Sequence, residues 1–199
     1  MIEVLTAGTR RRMAWNNGHG WTTELARDPS EPVAEREWGW RISVAEIAVD
    51  APFSHFPGID RSLMVLTGAG VRLSFDGRSH ELTPADPAVA FAGELPVDCV
   101  LLAGPTRDFN VMTRRGVWTH AVERREITGR LDAAPPPGGL TLVHVLAGSL
   151  SWDGSPLAAG DSVLADEAAE LVGFGTVVVA ALQRRHPGQH QQGAGHRPA

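Results

Sequence analysis

The chain has 199 residues, is 43% hydrophobic and 21% charged, and carries a formal net charge of −5 at pH 7. Its length allows one large or two small domains that bury about 70% of the unfolded surface. The charge balance argues against nucleic acid as a partner, no apolar run nears the ~20 residues of a bilayer span, and the one cysteine, Cys99, rules out an internal disulfide.

Residues 1–6 read as a short strand, and Arg10 to Arg12 as a basic approach to a turn. The run Trp15-Asn16-Asn17-Gly18-His19-Gly20 is loop by composition, and 21–26 returns to β-formers. Residues 28–36 are polar with two prolines and read as loop; 38–49 is the next strand, whose alternation sets Arg41 and Ser43 on one face. A Pro57-Gly58 turn leads through Asp60-Arg61 into strand 62–67. Gly68-Ala69-Gly70 then reverses the chain into strand 71–75, so these two runs read as the arms of a hairpin. Asp76-Gly77 closes the stretch with a strong hairpin signal, since both residues accept positive φ.

Short runs follow at roughly ten-residue spacing, at 80–82, 88–91, 97–102, 109–112 and 117–123, punctuated by Pro and Gly; this is the pattern of an all-β barrel or sandwich. Residues 133–139, AAPPPGG, read as a linker. Beyond it, 140–146 is strand, Gly148 a turn, and Asp153-Gly154 repeats Asp76-Gly77. The order Leu-x-Gly, aromatic-Asp-Gly, Leu, Asp recurs in both halves and marks an internal duplication. Residues 161–171 admit a helix or a strand start. From 184 to 199 the chain reads as a disordered tail. The expected units are therefore 1–132, a front barrel with a pocket; the linker 133–139; 140–183, a smaller half completed by N-terminal strands; and the tail.

All eighteen basic residues are arginine and tyrosine is absent, which removes lysine Schiff-base and tyrosine acid-base chemistry. A duplicated β-barrel with these turns resembles a cupin pair, whose metal sites use His-x-His, a nearby Glu and a later His. No His-x-His occurs here, and His55, His80, His120 and His144 stand singly, so neither metal nor cofactor is expected. Cys99 lies in an apolar run and reads as an inert buried thiol. Three polar clusters remain: 16–24, with amides and hydroxyls in a glycine loop; Arg41 and Ser43 with Asp60-Arg61; and 107–115, where alternation sets Asp108, Asn110 and Met112 opposite Phe109, Val111 and Thr113. An inward arginine fork matches a carboxylate, although Arg61 reads equally well as half of a structural pair with Asp60 at the barrel rim.

Four ordered motifs, at 15–24, 40–45, 52–61 and 104–112, resemble those of the HutD/Ves family over about residues 1–182. The resemblance implies an all-β bicupin, two cupin-like jelly rolls without the usual metal ligands, and an association with histidine utilisation through binding of a pathway metabolite. The family loop is usually a run of glycines; His19 stands in it here and adds a titratable group. On this reading Arg41 and Arg61 bind the anion. Asn17, Thr22, Asp108 and Asn110 orient it, with Ser43 on the Arg41 face and His19 nearby, and Phe56 and Trp21 form apolar walls. The expected ligand is a small carboxylate of the urocanate or N-formylglutamate type, bound by a cytoplasmic protein with no nucleic-acid or membrane partner; a homodimer is an open reading. The alternative is a metal-independent isomerase or hydrolase, with His19 or His55 as base and Glu24 or Asp108 as its partner.

Overall fold

The computed structural model describes residues 1–10, 12–15, 20–29 and 38–185. Asn17, His19, most of the expected loop at 28–36 and most of the expected tail lie outside the described residues. In chain order the strands are β1 (Ile2–Leu5), β2 (Arg12–Ala14), β3 (Gly20–Asp28), β4 (Trp40–Ile47), β5 (Ala51–Pro52), β6 (Ile59–Thr67), β7 (Val71–Phe75) and β8 (Arg78–Leu82). They continue as β9 (Val89–Ala92), β10 (Asp98–Leu101), β11 (Thr106–Arg114), β12 (Trp118–Ala133), β13 (Gly139–Trp152), β14 (Ser155–Leu157), β15 (Ser162–Ala165) and β16 (Ala169–Arg184). Among the described residues the helical content is one short 3-10 turn, Ala7–Thr9, and no helix is long and apolar enough to cross a membrane.

The strands form three antiparallel sheets. A middle sheet runs β2-β3-β4-β11-β6-β9, a front sheet runs β5-β10-β7-β8, and a back sheet runs β1-β15-β13-β16-β12 with β14 paired to β13. The middle sheet contributes core residues on both sides because it has a neighbour on both sides. Toward the front sheet it contributes Ile47, Leu63 and Val65, which meet Val71, Leu73 and Cys99. Toward the back sheet it contributes Ile42, Val44, Phe109 and Val111, which meet Leu142, Val178 and Leu182. A strand covered on both faces loses the apolar-polar alternation and becomes a nearly continuous hydrophobic run. That is why residues 63–66 of β6, Leu-Met-Val-Leu, are all buried. The back sheet closes a further core of its own around Val145, Leu171 and Val177.

Two of the expected reversals are different in the structure. The runs at 62–67 and 71–75 are not hairpin arms: β6 is flanked by β11 and β9, while β7 is flanked by β10 and β8 in the facing sheet. Both edges of β6 are occupied, so the chain leaves it at Gly68-Ala69-Gly70 and crosses to the front sheet. Thr106 fixes that crossing, its Oγ1 accepting from Gly70 N at 3.3 Å and lying 3.2 Å from Gly70 O. The hairpin belongs to Asp76-Gly77, at φ 50° and 67°, between β7 and β8; Asp153-Gly154, at φ 47° and 73°, does the same between β13 and β14. Gly148 does not turn the chain. It sits inside β13, paired with Gly175, just past a bulge at Val145/Ala147. Within 161–171 the structure has strand, β15 and the start of β16, where a helix was the other reading, and Arg184, expected in the tail, ends β16.

The segment at 133–139 joins β12 to β13, two strands of the same back sheet with β16 between them; β12 pairs with β16 along its full length. β12 also reaches across to the middle sheet through polar contacts. His120 lies 2.9 Å by Nε2 from Ser62 Oγ on β6 and 2.8 Å by Nδ1 from Thr113 Oγ1 on β11, and Arg124 donates to Val65 O at 2.7 Å. Burial lowers the His120 pKa to about 4. His144, bonded to Ser162 at 2.9 Å, falls to about 3 for the same reason, with Arg10 and Arg107 adding to it.

The back sheet can be tested at a glycine and at a histidine. Gly148 has φ +114°, and a Cβ there would lie 2.2 Å from Phe174 O and 2.4 Å from Gly175 Cα. Gly148→Ala should therefore cost about 2 kcal/mol and lower Tm by about 4–8 °C in a thermal melt, whereas Gly8→Ala, which meets nothing within 4 Å, should leave Tm in place. His120 is held neutral in the fold, so the unfolded chain binds its proton first as pH falls. Stability should drop from pH 6.5 toward 4, by about 2 kcal/mol at pH 5 from this residue. Urea midpoints at pH 7 and 5 should show a smaller drop in His120→Gln than in the parent.

Candidate functional site

The polar side chains of the middle sheet collect on its front face. On β11 the alternation turns Asp108, Asn110 and Met112 toward the front sheet, while Phe109 and Val111 pack toward the back. β4 supplies Arg41 and Ser43, β3 supplies Thr22 and β6 supplies Arg61 to a cavity of about 690 Å³. The loop between β5 and β6 closes one side with Phe53, Ser54 and Phe56, and β2 with Trp15 closes another.

Arg61 is the dominant charge in this cavity. It is 5% exposed, and its guanidinium lies 4.9–5.5 Å from the ring centres of Phe53, Phe56 and Phe91. Among the described residues it forms no ion pair within 4 Å, and its Nε is buried without a hydrogen-bond partner. The alternative of a structural pair with Asp60 is not realised. Neighbours on a strand point to opposite faces, and Asp60 instead accepts from Arg115 Nε at 2.7 Å at the surface. Burial presses the Arg61 pKa down to about 10, which leaves it charged at neutral pH. The aromatic faces supply part of the lost hydration, as ring quadrupoles do for a desolvated cation.

Arg41 is differently placed. Its Nε lies 2.9 Å from Glu24 Oε2, a charge pair without hydrogen-bond alignment, and Glu24 also lies 3.6 Å from Arg27. Asp108 is 2% exposed, and neither its Oδ1 nor Asn110 Oδ1 has a hydrogen-bond partner. Burial raises the Asp108 pKa to about 7, with the charge of Arg61 opposing the rise. Cys99, on β10 of the facing front sheet, is 2% exposed, its thiol pushed up to about 12 by burial and then by Asp108 and Asp50, so it is not a nucleophile.

The cavity thus gathers Arg41, Arg61, Ser43, Thr22, Asp108, Asn110 and Phe56 from five separate stretches of sequence. Trp21 is not one of its walls. β3 points it to the opposite face, 42% exposed and beneath the Arg12 guanidinium at 4.5 Å. The wall is Trp15, whose Nε1 donates to Thr22 Oγ1 at 2.8 Å. His55 is exposed and does not line the cavity. Phe53, which lines the cavity, and Phe91, whose ring lies against Arg61, are residues the sequence does not single out. Two Phe three apart in a loop carry no periodicity, and Phe91 meets Arg61 because β9 pairs with β6 at that register. Among the described residues no group of three or more His, Cys, Asp and Glu is placed to hold a metal ion.

The chain is similar to several known proteins. An uncharacterized 21.2 kDa protein in the hutC 3′ region of Pseudomonas putida is 45% identical over 112 residues, 56% of this chain and 57% of that one, so the chain spans little more than half of that relative. The structure of HutD from Pseudomonas fluorescens SBW25, in a formate condition, is 29% identical with a TM-score of 0.80, covering 94% of this chain and 100% of that one. A Cupin 2 conserved barrel domain protein from Leptotrichia buccalis, 11% identical, gives a TM-score of 0.57 over 87% and 96% of the two chains, which shows a shared cupin-like all-β fold and nothing about activity. The HutD profile matches residues 7–180, and the chain belongs to the HutD family.

Proposed function

We propose that this chain is a binding protein whose front cavity takes a small carboxylate, and that binding is its role: a cytoplasmic regulator of histidine utilisation responding to an acid of the urocanate or N-formylglutamate type. The observation that carries the reading is Arg61, a buried guanidinium ringed by three phenylalanines with no ion pair within 4 Å among the described residues. A buried cation with no ion-pair partner in contact is costly to keep, and a ligand carboxylate supplies one. Arg41 stands on the same cavity wall but already has Glu24 beside it, so Arg61 is assigned the anchor and Arg41 the steering. Asn110 Oδ1, buried without a partner, offers an acceptor to any N–H the acid carries. The hutC-region relative supports the pathway assignment. The matched Asp-Gly hairpins at 76–77 and 153–154 support reading the fold as a duplicated, bicupin arrangement.

One observation favours a second reading, a metal-independent isomerase or hydrolase. Asp108 is held near neutrality inside a polar cavity, the range in which a carboxyl exchanges protons with a substrate. Of the histidines proposed as its base, His55 is outside the cavity and His19 outside the described residues.

Thermal melts with urocanate and N-formylglutamate decide between them. At about 100-fold over Kd the binding reading expects about 2.7 kcal/mol of stabilisation, a rise in Tm of roughly 5–10 °C, and no product by NMR. Turnover of either acid would favour the enzyme. Arg61→Met keeps the apolar stem against the rings and removes the unpaired charge, so its ligand-free Tm should be unchanged or higher while affinity falls roughly 10- to 100-fold. A variant that still binds as tightly as the parent would remove Arg61 from the site.

A further inference from the structure

We infer that an acid entering the front cavity is taken up together with one proton, which lodges on the Asp108 carboxylate, so that the protein binds the neutral sum of an anion and a proton. This rests on the proposed binding role and concerns how the same site is regulated.

The charges at the cavity floor are Arg61 and Asp108. Both are buried, both face the cavity, and no ion pair within 4 Å joins them. Each still feels the other: the arginine favours the carboxylate and the carboxylate favours the guanidinium. In the empty cavity Asp108 is thus the partial counter-charge of Arg61. A ligand carboxylate that settles on Arg61 takes over that part, and two anions then share one guanidinium in a site poorly screened by water. Like charges at that range drive one of the two to protonate. The ligand touches the arginine directly and Asp108 does not, so Asp108 is the group that gives way.

The other groups around Asp108 do not relieve the conflict. From β2 there is Arg12, which lines the cavity but is half-exposed and already lies 3.5 Å from Glu46. From β6 there is Arg61, which stays charged. From β4 there is Arg41, whose charge is already matched by Glu24 of β3. From β10 there is Cys99, whose thiol burial, and then Asp108, keep protonated. On β11 itself the neighbour on the same face is Asn110, which does not titrate. Burial has already brought Asp108 to about 7, so a further rise on ligand binding falls within the range in which a cell works. The proton comes from solvent and forms an O–H bond on one carboxyl oxygen. Asp108 is thereby converted from acceptor to donor, and its hydroxyl can be given to the ligand.

Protonation at a raised pKa in the complex means that affinity is level below pH 7 and falls above it, toward tenfold per pH unit once Asp108 is ionised in the free protein. Between pH 6.5 and 8.5 the weakening should be roughly 25-fold.

The test is titration calorimetry of the full chain with N-formylglutamate and with sodium formate, two acids that do not themselves titrate across that interval. Runs at pH 8 in phosphate and in Tris, whose ionisation heats differ, count the protons exchanged. The expected result is uptake of close to one proton by the parent, with the stated loss of affinity at pH 8.5. Asp108→Asn, which has the shape of the protonated acid, should bind with no uptake and with pH-independent Kd. Binding by the parent without proton uptake, or uptake that persists in Asp108→Asn, overturns this inference and leaves the binding role intact. Absence of binding by either acid at every pH overturns both. Should Asp108→Asn fail to fold, the two buffers with the parent still count the protons and so decide the matter.

Discussion

The burial of one positive charge organises the front half of this molecule. Arg61 sits on a strand whose other residues are almost all core, and its guanidinium is surrounded by rings from the loop before β6 and from β9. A charge so placed constrains everything around it. The phenylalanines must be near, since their faces replace part of its hydration. The cavity must remain, since filling it with hydrocarbon would strand the cation. Asp108 stays within electrostatic reach of Arg61 yet forms no ion pair with it within 4 Å, so each charge only partly offsets the other.

The middle sheet makes this tolerable. Its back face is an ordinary apolar surface, sealed by β13 and β16, and that contact holds β4, β6 and β11 in register. The front face is then divided: Ile47, Leu63 and Val65 pack on the front sheet, and Arg41, Ser43, Asp108 and Asn110 line the cavity. Alternation along each strand separates the two duties residue by residue: Phe109 and Val111 bind the sheets together while Asp108 and Asn110 line the cavity. Precise placement of polar groups comes from a scaffold held by other contacts.

Much of this is legible in the sequence where local chemistry decides the outcome. The period of two in 107–113 separates the cavity face from the core face, and Asp-Gly at 76–77 and 153–154 specifies its turns. What local chemistry does not carry is which strand pairs with which. Gly68-Ala69-Gly70 signals a reversal, but whether β7 returns beside β6 depends on whether the edge of β6 is free, and β11 and β9 occupy both edges. The same reason hides Phe91, which reaches Arg61 only through the β6–β9 register. The aromatic wall obeys a simpler constraint. Trp21 and Thr22 are adjacent, so they cannot share a face; if Thr22 lines the cavity, a different aromatic must close it, and Trp15 does. Asp60 and Arg61 part in the same way, adjacency in a strand meaning opposite sides.

The back sheet contains β1 next to β15, so Ile2–Leu5 pairs with residues 162–165. A contact that spans most of the chain is slow to form, because the entropy of closing so large a loop is spent before any hydrogen bond is gained. During synthesis β1 emerges long before β15 exists and stays an unzipped edge while the strands between them assemble. The seam between β1 and β15 is therefore expected to fasten late.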